Sequence, residues 1–195
     1  KIYDKSVYSR NTELNDALRH RQQIEDGNIW ASEIPLNNKV RLYLGCGRDA
    51  QNLAKLRENS VKYILNVADD VPNYFSSEES RKEIELDYCN LNVVDNGQDK
   101  GISRVFEEAY RFVESAFRDT ETEGILVHCA NGSNRSVTVV VAILMMGRNI
   151  ELKAAWEIVR SHHSRAIPLR DNQRELLDFE KRKFGTCSLH EDDFF

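Results

Sequence analysis

The stretch His128-Cys129-Ala130-Asn131-Gly132-Ser133-Asn134-Arg135-Ser136 puts a nucleophile and an anion-gripping group within one short loop. Cysteine attacks as its thiolate, and positive potential favours that form. Six residues on, Arg135 carries a planar guanidinium that can hold two phosphate oxygens at once, which lysine cannot reproduce. The Ser136 hydroxyl can donate to the cysteine sulfur and so help it leave. Backbone N–H groups of residues Ala130 to Asn134, if the loop curls, can point at the same anion. Gly132 suits such a curl because it tolerates unusual φ/ψ and close approach. His128, directly before the nucleophile, suggests a hydrogen-bonding role that tunes Cys129, not proton transfer to substrate. The chemistry these residues fit is covalent displacement at phosphorus.

Such a loop works only if rigid elements hold both of its ends. Gly124–His128 is a short apolar run bounded by turn signals, which predicts a buried strand. An apolar helix is predicted from about Arg135 or Ser136 to Met146. A strand end that faces a helix N-terminus is where α/β sheets bind anions, and the helix dipole adds positive potential. Further strands are expected near Ser32–Pro35, Lys39–Leu44, Val61–Val67 and Ile84–Val94, from their β-branched and alternating residues. Helices are expected over residues 11–25, Asp49–Asn59, Ile102–Phe117, Glu151–His162 and Arg170–Lys183. Strands alternating with helices predict an α/β fold. The chain divides into a helical extension at 1–29, one domain at 30–184, and an acidic tail at 185–195 that is expected to be loose.

The bulk numbers narrow the class. The chain has 195 residues, 41% apolar and 30% charged, which fits a globular domain with a real core. A net charge of −5 argues against bulk, sequence-independent nucleic-acid binding, since that needs a basic surface. The longest nearly apolar run, Val137–Met146, is far short of the ~20 residues that cross a bilayer, so no membrane span is expected. The first residues carry no signal-peptide pattern, and the lack of an initiator Met is compatible with a fragment of something longer. Four widely spaced cysteines, Cys46, Cys89, Cys129 and Cys187, suggest neither a disulfide framework nor a zinc site. A reducing, intracellular compartment is therefore expected, with the cytoplasm, and the nucleus as an addition, as the expected location; the displacement chemistry itself requires no metal or cofactor.

His-Cys-x2-Gly-x2-Arg-Ser between an apolar strand and an apolar helix matches the signature of the protein tyrosine phosphatase superfamily. Most of residues 30–184 resembles the dual-specificity phosphatases, the branch that includes the MAP-kinase phosphatases. Trp30-Ala31-Ser32-Glu33-Ile34 with Leu42-Tyr43-Leu44-Gly45 looks like the opening strands of that family. Ile64-Leu65-Asn66-Val67-Ala68 and Val71-Pro72-Asn73-Tyr74-Phe75 look like its next strand and loop. The resemblance implies a central mixed, mostly parallel sheet of about five strands flanked by helices. It also implies hydrolysis of phosphotyrosine and phosphoserine/threonine through a phosphocysteine, with a phosphoprotein substrate and a protein kinase as a possible partner. A shallow pocket goes with that branch. The family uses an aspartate roughly thirty residues before the cysteine to protonate the leaving oxygen. Asp95 and Asp99, 34 and 30 residues upstream, both fit, and the Val94-Asp95-Asn96 context favours Asp95. The family segment Pro-Asn-x-Gly-Phe is Pro168-Leu169-Arg170-Asp171-Asn172 here, so only its proline matches.

Other readings of the same residues remain. Asn134-Arg135-Ser136 is similar to the Asn-Arg-Thr of RNA 5′-triphosphatases, which need no aspartate acid. A phosphate-binding scaffold with little activity is a third class, although such relatives usually lose the cysteine or the arginine. The loop lacks the lysines expected for a phosphoinositide headgroup. His162-His163 look like a metal pair, but adjacent helical residues point about 100° apart, so solvent exposure is the expectation. Arg165 reads as a surface arginine. Trp156, at helical spacing from Leu152 and Val159, reads as core. Cys46 and Cys89 read as inert thiols, with a protective disulfide to Cys129 as the alternative.

Overall fold

A computed structural model describes residues 30–95, 100–119 and 124–194 of the chain. The predicted helix at 11–25 lies outside them. From Ala31 onward the chain forms one compact unit. Five strands make a single sheet in the order β1-β2-β5-β3-β4, with β1 Ser32–Ile34, β2 Arg41–Cys46, β3 Val61–Ala68, β4 Asp87–Val93 and β5 Gly124–Cys129. Only β1 runs antiparallel to its neighbour; the other pairings are parallel. This is the mixed, mostly parallel sheet expected.

The central strand, β5, is buried at every residue. That explains its unbroken apolar run, because a parallel strand covered on both faces has no solvent side to alternate with. The helix after the loop, Arg135–Gly147, is buried from Arg135 through Met145. Helix Phe106–Ala116 instead shows one apolar stripe, Phe106, Ala109, Val113 and Ala116, against the core. A 3₁₀ turn, Ile102–Val105, leads into it. Helices Leu152–His162 and Arg170–Phe184 complete the helical C-terminal third.

Two boundaries differ from the expectation. The helix predicted over Asp49–Asn59 is two short helices, Gly47–Gln51 and Leu53–Glu58, because the Asn52 side chain accepts the Lys55 N–H and starts a second helix. The strand predicted from Ile84 begins at Asp87, after a short helix at Glu78–Arg81 that Ser77 caps.

The tail is not loose. Ser188 donates from its N–H and Oγ to Glu180, at 2.8 and 2.6 Å, and Glu180 also accepts the Leu152 N–H at 2.7 Å. A fully buried carboxylate thus ties the tail to the N-terminus of Leu152–His162, where the helix dipole favours negative charge. Phe194 packs on Trp156, their ring centroids 5.3 Å apart. Trp156 is core, as its spacing implies. Among the described residues no helix is long and apolar enough to cross a membrane.

Because β2, β5, β3 and β4 run parallel, their carboxyl ends share one edge of the sheet. Cys46, Cys129, Ala68 and Val93 end there, and the connections that follow carry Gly47, the 130–134 loop, Asp69-Asp70 and Asp95. The topology itself gathers the site.

Candidate active site

Cys129 closes β5 with its side chain almost completely buried. Its sulfur accepts two hydrogen bonds, from the Gly132 N–H and the Ser136 hydroxyl, each at 3.2 Å. The expected Ser136 contact is therefore present.

The four loop carbonyls after Cys129 all face outward, each onto a different donor. Ala130 O accepts the Gly47 N–H at 3.1 Å, and Asn131 O accepts Arg165 Nη1 at 3.4 Å. Gly132 O accepts His163 Nε2 at 2.7 Å, and Ser133 O accepts the Ile167 N–H at 2.8 Å. A planar trans peptide points its N–H opposite to its C=O. Four carbonyls out therefore means the N–H groups of Asn131, Gly132, Ser133 and Asn134 point in. The Gly132 N–H on the Cys129 sulfur is one of them. This concave row of donors at the N-terminus of Arg135–Gly147 is an anion cradle. Gly132 has φ 70°, and a Cβ there would lie 2.7 Å from Gly45 O, so only glycine fits the curl.

Arg135 is 1% exposed and heavily engaged. Its Nη1 donates to Asp70 Oδ1 at 2.8 Å, Val93 O at 2.9 Å and Asp69 Oδ1 at 3.2 Å. Its Nη2 lies 3.3 Å from Asp95 Oδ2. Burial works against its charge, but Asp70, Cys129 and Asp95 outweigh that and hold it protonated. In return the Arg135 hydrogen bond lowers the Asp70 carboxyl below the ordinary carboxylate range.

Asp95 is at the loop: its Oδ1 accepts Asn134 Nδ2 at 2.8 Å. Asp99 lies outside the described residues. Asn134 also answers how the segment after Pro168 meets the loop without the family asparagine and Gly-Phe. Its Oδ1 accepts both the Leu169 N–H and Asn172 Nδ2, each at 2.8 Å. Residues 163, 165, 167 and 169 thus touch the loop in turn. The segment reaches the loop through a turn at Ser164-Arg165, closed by the Ala166 N–H on His163 O at 3.0 Å, and then runs along it to Leu169.

Several sequence expectations change here. His162 is exposed, but His163 is fully buried, with Nε2 on Gly132 O and Nδ1 2.8 Å from Ser32 Oγ. The carbonyl can only accept, so Nε2 carries a proton. The signal was present: His163 lies four residues after Val159, on the face that Val159 buries, and a 100° step separates it from His162. Arg165 is not a free surface arginine; it bonds Asn131 O and lies 4.0 Å from the buried Asp49 carboxylate. Asp69 and Asp70 were missed, although they directly follow a parallel strand at its carboxyl end, where such sheets place ligand-binding groups. His128 makes no hydrogen bond to the Cys129 sulfur; its ring interacts instead with the Cys129 backbone, short of full hydrogen-bond geometry. β5 is buried at every residue, so the His128 side chain lies in the interior, and burial lowers its pKa to about 4.

Cys46 stands directly opposite Cys129 across the β2–β5 pairing. Burial and the neighbouring Asp49 raise its thiol pKa, and burial with Glu108 pushes Cys89 up to about 11. Both are poor thiolates, and all four cysteines are free.

Comparison with known proteins identifies the family. Residues 42–182 match the family model described as dual specificity phosphatase, catalytic domain. The chain is 39% identical over 140 residues to human dual specificity protein phosphatase 6, covering 72% of this chain and 35% of that protein. It is 32% identical over 173 residues to a probable dual specificity protein phosphatase of Dictyostelium discoideum, covering 85% of this chain and 73% of that one. The crystal structure of human DUSP28 superposes with a TM-score of 0.65 at 23% identity, over 77% of this chain and 93% of that chain, which shows the shared fold. The chain spans about a third of the length of the human relatives it matches.

Proposed function

The chain belongs to the dual-specificity phosphatase catalytic-domain family, and on that premise we propose that it hydrolyses phosphotyrosine and phosphoserine/threonine in proteins through a phosphocysteine intermediate. One observation carries the reading: four outward-braced carbonyls turn a row of N–H groups toward the Cys129 sulfur.

The phosphoryl group lies in that cradle. The N–H groups of residues 131–134 and the Arg135 guanidinium take its non-bridging oxygens, which requires Arg135 to exchange carboxylates for phosphate. Electrostatic positioning of this kind is the main device of phosphoryl transfer. The Cys129 thiolate attacks phosphorus as the bond to the seryl, threonyl or tyrosyl oxygen breaks. Asp95 gives that oxygen its proton. A water, deprotonated by the same carboxylate, then displaces sulfur from phosphorus. The Ser136 hydroxyl supports the departing thiolate. His128, neutral near pH 7, takes no part in proton transfer.

Asp95 within reach of the loop favours ester leaving groups that need an acid over a 5′-triphosphatase. Cysteine, arginine and acid together count against an inactive scaffold. A protein kinase is the proposed class of phosphoprotein substrate, and the cytoplasm and nucleus the proposed location.

The test pairs the wild type with Cys129→Ser on phosphotyrosyl and phosphothreonyl peptides. The wild type should turn over both, and acid quench with mass spectrometry should trap phosphate on Cys129. The variant should bind without turnover. Wild-type rates from Cys129→Ser would refute the mechanism.

A further inference from the structure

Among the described residues, the strongly exposed large apolar side chains are Val94, Ile167 and Leu169, at 39%, 47% and 42%. Scattered singly, such side chains need no explanation. Each of these adjoins the loop through its backbone or its chain neighbour. Val94 precedes Asp95, whose carboxylate accepts from Asn134. Ile167 is anchored by its N–H on Ser133 O, and Leu169 by its N–H on Asn134 Oδ1. The backbone does the anchoring, and the side chains are left in water beside two residues of the cradle.

We infer that Val94, Ile167 and Leu169 form an apolar rim that reads the residues flanking the phosphorylated one, so that favoured substrates carry a large aliphatic or aromatic side chain within two positions of it. The inference rests on the protein phosphatase reading above and deepens it. A phosphoryl group seated at Cys129 fixes its own residue at the mouth of the loop. Neighbouring substrate residues follow at ~3.3–3.6 Å each, so the first and second of them lie over groups that adjoin Ser133, Asn134 and Asp95. The occupant is the substrate chain itself, because the rim is continuous with the cradle through Asn134. Each methylene such a side chain withdraws from water adds about fourfold to affinity.

The test uses the full chain with two phosphotyrosyl peptides that differ only in leucine or serine on both sides of the phosphotyrosine, and phenyl phosphate alongside. The wild type should prefer the leucine peptide about tenfold in kcat/KM, through KM. The double variant Ile167→Ser, Leu169→Ser keeps both N–H donors. It should bring the two peptides within about twofold of each other, the ratio being read within the variant so that any change in its phenyl phosphate turnover cancels. Val94→Ser, a change on a different segment, should reduce the ratio in part even if the double variant folds poorly. Phenyl phosphate hydrolysis with no leucine preference in the wild type overturns the rim and leaves the phosphatase reading intact. No hydrolysis of any substrate overturns both. Flotation with phosphatidylcholine vesicles that the double variant abolishes, without a peptide preference, makes the rim a lipid contact and overturns the inference.

Discussion

His163→Ala is the sharpest test of how the loop is held. The imidazole is fully buried and bridges Gly132 O and Ser32 Oγ. Its removal strands the Gly132 carbonyl, at about 1–3 kcal/mol for an unsatisfied buried acceptor. Ser32 is half-buried and can turn to water, so its loss is small. Lost packing adds about 1 kcal/mol or more. A total of about 3 kcal/mol follows, and for a domain of this size that lowers Tm by about 6–12 °C. The activity effect comes from geometry. Gly132 O and the Ser133 N–H share one planar peptide, so freeing the carbonyl frees the amide that should face phosphate. Deleting one such donor costs about 100–1,000-fold in other enzymes. Here the amide is loosened and not removed, so kcat/KM should fall about 10–100-fold. Inhibition by tungstate, a phosphate-like oxyanion, should weaken in parallel. His163→Gln can return an N–H to Gly132 O and should recover much of both. Steady-state kinetics and tungstate inhibition, measured well below the melting temperature, provide the check. A variant that loses the stability but keeps kcat/KM and tungstate affinity within about twofold would show that His163 does not set the cradle.

Stability should also fall on mild acidification, through His128. Its pKa is about 4 when folded and ~6.5 when unfolded, so between those values the unfolded chain takes up the proton that the folded one refuses. The effect is absent above pH 6.5, grows as pH falls, and is complete near pH 4. Between pH 7.5 and pH 5 it amounts to about 2 kcal/mol, readable by urea denaturation, and His128→Asn should flatten that part of the profile. Asn134→Ala removes the bonds to Asp95, Leu169 and Asn172. It should slow alkyl phosphates, whose oxygen needs the acid, about tenfold more than nitrophenyl phosphate, whose oxygen leaves unaided. Equal losses on both substrates would mean that Asn134 does not orient Asp95.

The five strands were readable because each is defined locally. Val61–Ala68 is rich in β-branched and aromatic residues, and Gly124–Cys129 is apolar throughout because both its faces are covered. Most of the described helices were readable from their stripes, as in Phe106–Ala116, whereas the short one at Glu78–Arg81 was not foreseen. The break at Asn52 was harder, since one asparagine both ends a helix and caps the next. The tail was misjudged because its acidic composition conceals Leu189 and Phe194, whose burial depends on a hydrophobic surface built by distant helices.

The sequence by itself determined which residues make up the candidate site's loop. Cys129, Gly132, Arg135 and Ser136 lie within eight consecutive residues, so their meeting needs only one loop of the right curl. It also pointed to Asp95. What only the tertiary structure decided is why that loop keeps its amides inward. The braces come from Gly47, His163, Arg165 and Ile167, and the contacts on Arg135 from Asp69 and Asp70, more than sixty residues away in sequence. Local periodicity describes which face a residue occupies, not what is packed against that face. An adjacent pair such as His162-His163 therefore looked alike in the sequence until the loop appeared against one of them.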